Sequence, residues 1–211
     1  MTASAGHGAG TRLVGHVYRY PDEQWAGWDP GHGIAPVARE LAVSLADPGE
    51  ARALTARSVE LINADSLRKK GIIVHNTIWV PDRTTGEVAA IVDFTVIEAL
   101  GGSEAPERYL ARNLRKDFGW RTRILEYAAD TTEVSAGRLT IEQVLLRRSG
   151  DRQVQSYLFL NVFPPGAVEA ASLVFNTVHL DLVTEVARQG RILVESLELD
   201  LGDIPGGRRK V

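Results

Sequence analysis

The chain has 211 residues, 44% of them apolar and 24% charged, with a formal net charge of −3 and no cysteine. That length suffices for one domain with a sizeable core, and the composition is that of an ordinary globular protein. The charge balance gives no general attraction to nucleic acid or to an anionic membrane, and the missing thiols exclude disulfides, cysteine nucleophiles, cysteine-ligated zinc and iron–sulfur clusters.

Residues 1–12 are small and polar and read as a flexible start. They lack the basic segment and apolar stretch of a secretory leader, and no later run reaches the length of a membrane span, so a cytoplasmic protein without membrane contact is expected. Residues 13–20 alternate weakly and read as a first strand ended by Pro21. The following PDEQWAGWDPGHG is dense in turn formers and reads as a loop holding Trp25 and Trp28.

Two helices are expected over residues 34–70. Val37, Leu41 and Leu45 carry the first. The second has Asp47 as N-cap, Pro48 in its first turn and Glu50 behind them, places Leu54, Leu61 and Ile62 inward, and stops at Gly71 with Lys69 and Lys70 at the negative end of its dipole.

A hairpin follows, 72–80 and 88–97. Val88, Ala90, Val92, Phe94 and Val96 lie on one face of its second strand, with Ala89, Ile91, Asp93, Thr95 and Ile97 on the other. Ser103 caps a helix whose inner side is Tyr109, Leu110, Leu114 and Phe118, closed by Gly119. Strands are expected at 123–127, 138–148 and 153–163, the last two joined through Ser149-Gly150-Asp151, and then at 170–178. Strand 153–163 is apolar on both sides and reads as covered on both. Leu180, Val183, Ala187, Gly190, Val194 and Leu197 repeat at helical spacing, so 180–199 reads as one helix at a cost of about 1 kcal/mol for Gly190. The stretch 202–211 reads as a flexible tail, leaving one α+β domain over 13–201, an antiparallel sheet flanked by helices.

The order from Gly71, with Ile78-Trp79-Val80-Pro81 near its start and Arg191-Ile192-Leu193-Val194-Glu195-Ser196-Leu197-Glu198-Leu199 at its end, resembles the PsbP-like superfamily, which includes bacterial DcrB-like proteins. Over 71–199 the resemblance implies an antiparallel sheet between helices and a binding or assembly role without catalysis. Some DcrB-like relatives are secretion chaperones. The helical stretch 34–70 and the missing leader depart from that pattern, and no family functional residue maps onto this chain.

The candidate chemistry is sparse. His7, His16, His32, His75 and His179 include no pair at metal-ligand spacing; His16 and His32 near Asp22 or Asp29 are the nearest approach, and structural histidines are the plainer account. No G-x-S-x-G and no phosphate loop is present, so no metal, nucleotide or other cofactor is expected. Asp93, a carboxylate within an apolar strand, reads as lying on the less buried face or paired with an arginine; only a pocket and a raised pKa would make it an acid or base. Arg108, Arg112, Arg115 and Lys116 share a helix side, either a solvated face or a surface for an acidic partner, with too few aromatics for nucleic acid.

The leading expectation is therefore a non-catalytic adaptor, accessory factor or chaperone that binds another protein through Tyr20, Trp25 and Trp28, aided by Arg108, Arg112 and Arg115. The alternative is a binder of an apolar small molecule, or an enzyme acting on one, with a pocket between sheet and helices near Trp79, Phe94 and Tyr157.

Overall fold

The computed structural model of the chain describes residues 11–31, 33–69, 72–99, 104–113, 122–148, 150 and 153–203. Outside them lie the expected caps Gly71 and Ser103, the helix end through Leu114, Phe118 and Gly119, Ser149 and Asp151 of the tight turn, residues 1–10 and 204–211, His32 and Arg115; residues 11–12 and 202–203, expected in a flexible start and tail, are strand.

Seven strands form one antiparallel sheet. They are β2 (Trp25–Trp28), β3 (Ile73–Trp79), β4 (Ala90–Glu98), β5 (Thr122–Val134), β6 (Gly137–Arg148), β7 (Val154–Phe163) and β8 (Glu169–Thr177), and they lie side by side as β2-β3-β4-β8-β7-β6-β5. The chain is α+β, with helices on both faces of this sheet. A separate two-stranded ribbon joins β1 (Thr11–Val17) to β9 (Glu198–Asp203).

Alternation sorts the side chains. Phe94, Leu173 and Leu160 stand opposite one another on one face of β4, β8 and β7, while Asp93, Val174 and Phe159 form the neighbouring row on the other. The first face holds the largest core. Val186, Leu193 and Val194 of α4 (Val183–Glu195) pack on Phe94, Leu158, Leu160, Leu173 and Phe175. Gly190 permits this approach, because a Cβ there would lie 3.0 Å from the Phe175 ring and 3.2 Å from Leu160. The helical cost of glycine is thus exchanged for close packing. The single expected helix over 180–199 divides here: α4 ends at Glu195, and residues 198–203 become β9, which finds a partner in β1. Helical periodicity over the longer run could not register that distant strand.

The opposite face is covered in pieces. α1 (Ile34–Leu45) and α2 (Glu50–Arg68) close over β2 and β3 through Ala38, Leu45, Val59, Trp28, Ile78 and Val80. α3 (Ala105–Asn113) sets Ala105 and Tyr109 against Phe163, Ala170 and Ile97 at the other end. The N-terminus of α2 differs from expectation: the cap is Gly49 at φ +86°, and no side chain caps it. Its inward face differs too. Leu54 and Leu61 are exposed, while Ala51, Thr55, Val59, Asn63 and Ser66 are buried. The polar members of this face tie down loops. Thr55 Oγ1 donates to the Gly86 carbonyl at 2.7 Å, and the Asn63 amide accepts from Trp28 Nε1 at 3.3 Å and from Gly31 N at 3.2 Å.

Gly86 sits at φ +65°, where a Cβ would meet the Ala51 carbonyl oxygen at 2.2 Å. Gly86→Ala combines left-handed strain with a backbone clash, and a loss of roughly 2–3 kcal/mol is expected, read as a lower urea midpoint at unchanged m-value.

Candidate functional site

The incomplete cover of the second sheet face opens a cleft of about 520 Å³ between the C-terminal half of α2 and the middle strands. Leu61, Ile62, Asp65, Ser66 and Lys69 line it from the helix side, at the three- and four-residue spacing that gathers side chains on one helical side. Ile91, Asn176 and Tyr157 form one row of its floor, with Asp93 and Val174 in the next row and Gln155 beside them.

Its charged centre is Asp93, whose side chain is only 21% exposed. Asn76 Nδ2 donates to Asp93 Oδ1 at 2.9 Å, and Lys69 Nζ lies 3.4 Å from Oδ2. Lys69 is shared, since its ammonium is also 3.0 Å from Asp65 Oδ2, and Asp65 has a second cation in Arg68 at 3.0 Å. Burial pushes the Asp93 carboxyl above its ordinary pKa against the pull of Lys69 and Asn76. Burial also pulls the Lys69 ammonium down, but Asp65 and Asp93 together outweigh it, so Lys69 stays charged. Of the pair, Asp93 is the group that gives way. Asp65 is held below its usual range by hydrogen bonds from Lys69 and Arg68. Asn76 Oδ1 is buried without a partner beside Asp93. On the floor, Tyr157 Oη donates to Gln155 Oε1 at 3.0 Å.

The expected pocket trio is split by the sheet. Trp79 and Phe94 are buried in the α4 core, and Tyr157 alone reaches the cleft, because Trp79 and Phe94 have the opposite alternation phase. Asp93, read as lying on a less buried face or beside an arginine, faces a cavity and a lysine. Lys69, Asp65 and Asn176 carried no signal in the sequence. Lys69 read as a helix-dipole partner, and nothing local placed β8 against α2.

The aromatic segment is strand as well as loop, and both its tryptophans are core. Trp25 is 4% exposed, lies 5.7 Å from the Trp79 ring in a stacked pair, and donates through Nε1 to Gln189 Oε1 at 3.0 Å. Trp28 is 6% exposed. Stapling to the core therefore replaces the expected exposed anchors, because β2 pairs with β3 and turns alternate tryptophans into the two cores.

Tyr20 is 37% exposed and engaged: its hydroxyl donates to His75 Nε2 at 3.3 Å, and His75 Nδ1 donates to Asp29 at 2.6 Å in the tautomer this network selects. His16 stacks on Phe94 at 3.8 Å between ring centroids, and Tyr18 hydrogen-bonds Thr77 at 2.8 Å. His75, not His16, is the histidine that bonds Asp29, and His16 lies edge-on to it with ring centroids 6.0 Å apart. Among the described residues no group of three or more histidine or acidic side chains has metal-binding geometry. Arg108 and Arg112 are exposed on α3, Arg108 pairs with Glu104 at 2.8 Å, and both border a smaller pocket of about 260 Å³ with Tyr109 and Glu98.

No family model and no curated protein matches this chain. Among solved structures it is similar to the solution structure of cyanobacterial PsbP (CyanoP) from Synechocystis sp. PCC 6803, at 12% identity and a TM-score of 0.43, over 95% of this chain and 99% of that one. That score is too low to carry a residue or a role across. Among the described residues no helix is long and apolar enough to cross a membrane.

Truncating either tryptophan should act on stability. Trp25→Ala and Trp28→Ala are each expected to cost about 3–5 kcal/mol, measured by urea unfolding. Burial, then the His75 charge, lower the His16 pKa, while Asp29 raises it. The unfolded chain therefore binds a proton more readily, and stability should fall as pH drops below about 6.5. His16→Phe should flatten that part of a urea-midpoint profile.

Proposed function

We propose that this chain is a non-catalytic binding module that takes a small amphipathic molecule in the cleft between α2 and the sheet. The observation that supports this reading is the placement of Asp93: a mostly buried carboxylate on the floor of a cleft where Ile62, Ile91, Val174 and Tyr157 alternate with Asp65, Ser66, Lys69, Gln155 and Asn176. The lining is more polar than that of most ligand sites, but it sets apolar surface beside placed polar groups, and the volume lies within the range of such sites. A buried charge costs stability unless something compensates it. A core selected for folding alone would have had no use for one here.

Docking of another protein, as adaptor, accessory factor or chaperone, is the second reading. It is favoured by the exposed leucines of α2, Leu54 at 44% and Leu61 at 61%, the latter bordering the cleft. Of the expected aromatic anchors, Trp25 and Trp28 are core residues and Tyr20 is engaged with His75, so the candidate surface is on α2 instead.

The test is protein-observed NMR on the full chain against a library of small fragments, with Val174→Trp filling the cleft floor. Fragments are expected to shift the amides of Ile91, Asp93, Tyr157 and Val174, and to lose at least tenfold in affinity in the filled variant. An absence of shifts at these positions, or affinity unchanged in the filled variant, would contradict the reading.

A further inference from the structure

The cleft also constrains the chemistry of its occupant, given that it is a ligand site as proposed above. Two carboxylates, Asp65 and Asp93, and one ammonium, Lys69, line it, leaving an excess of negative charge on its walls. Arg68 offsets Asp65 from outside, with its side chain 74% exposed. The two carboxylates are served unequally. Asp65 has Lys69 and Arg68, both at 3.0 Å. Asp93 has one neutral amide at 2.9 Å and a share of Lys69 at 3.4 Å, beyond the 2.7–2.9 Å usual for a charge-assisted hydrogen bond. An ionised carboxylate accepts at about four positions, so Asp93 retains unused acceptor capacity on the cavity floor.

An incoming anion would have only Lys69 to meet, already held by two carboxylates, and would stand against both of them. A neutral apolar molecule would cover Asp93 and remove its remaining water without replacing it, which is the costly case for a buried charge. A cation meets neither obstacle. It would find Asp93 below it, and Ile62, Ile91 and Val174 for an apolar body.

We propose that the ligand is an organic ammonium, an amine with an apolar body, whose nitrogen donates to Asp93 where the Lys69 ammonium now makes its long contact. Lys69 is then an internal competitor for Asp93. Burial of Asp93 and its raised pKa agree with a carboxylate that lacks a full complement of donors.

The test uses three probes with one body and different heads, n-hexylamine, hexanoate and n-hexanol, titrated at pH 8 into the full chain and followed at the amides of Ile91 and Val174. Hexylamine should bind most tightly. Asp93→Asn should weaken it at least tenfold, and Lys69→Met should strengthen it. Lys69→Met separates the cases even if Asp93→Asn folds poorly, because an anionic ligand that relied on Lys69 would lose affinity in that variant. Preference for hexanoate, or equal affinity for all three, would overturn the inference and leave the cleft a ligand site. Unchanged or weaker hexylamine binding in Lys69→Met would also overturn it. If no probe shifts these amides while other fragments do, the ammonium inference fails alone; if no fragment of any kind does, the ligand-site reading fails with it.

Discussion

Strands β4, β8 and β7 are apolar on one side and mixed on the other, and the rest of the structure depends on how each side is covered. The side bearing Phe94, Leu173 and Phe175 is closed by one helix at close range, an approach that Gly190 allows. Filling that face draws on α4, the β1–β9 ribbon and Trp25. Each fully buried side chain of this size contributes roughly 2–3 kcal/mol, so this layer supplies most of the cohesion. The other side is covered in pieces, by the consecutive helices α1 and α2 and by α3. α2 lies over β3 and α3 over the Phe163 end, and the space between them is where Asp93 is found.

The cleft therefore results from topology as much as from any local sequence. Apart from Val59, α2 spends its inward positions on small or polar residues, Ala51, Thr55, Asn63 and Ser66, of which Thr55 and Asn63 clamp the Gly86 and Gly31 loops. A helix with leucines on that face would have sought the sheet and filled the gap. Instead Leu54 is exposed, Leu61 borders the cleft with its side chain largely in solvent, and the C-terminal turn brings Asp65 and Lys69 over the floor. Local loop anchoring and the open cleft are two results of the same choice of side chains.

Much of the fold was legible because strands of strict alternation announce themselves. The two faces of β4 were assigned residue by residue, β7 was read as covered on both sides, and the α+β sheet followed from them. Pairings between distant segments were not legible. β9 has a helical periodicity running into it, and only its partnership with β1, nearly the whole chain away, makes it a strand. Trp25 and Trp28 looked like loop residues because a four-residue edge strand among prolines and glycines leaves too short a pattern to detect. At the site, Asp93 stood out as a carboxylate among apolar neighbours. Its companions Lys69 and Asn176 did not, since their meeting depends on the register of β4 with β8 and on where α2 ends.

The central claim is that Asp93 is a desolvated, under-served carboxylate on the floor of a binding cleft. The most direct measurement is the pH titration of its side-chain carboxyl carbon by NMR in the ligand-free chain. A midpoint clearly above the ordinary aspartate value of about 3.9 is the result the account predicts. A midpoint at or below that value would mean that Lys69 and Asn76 already satisfy Asp93, and that the cleft is a surface gap around a completed ion pair.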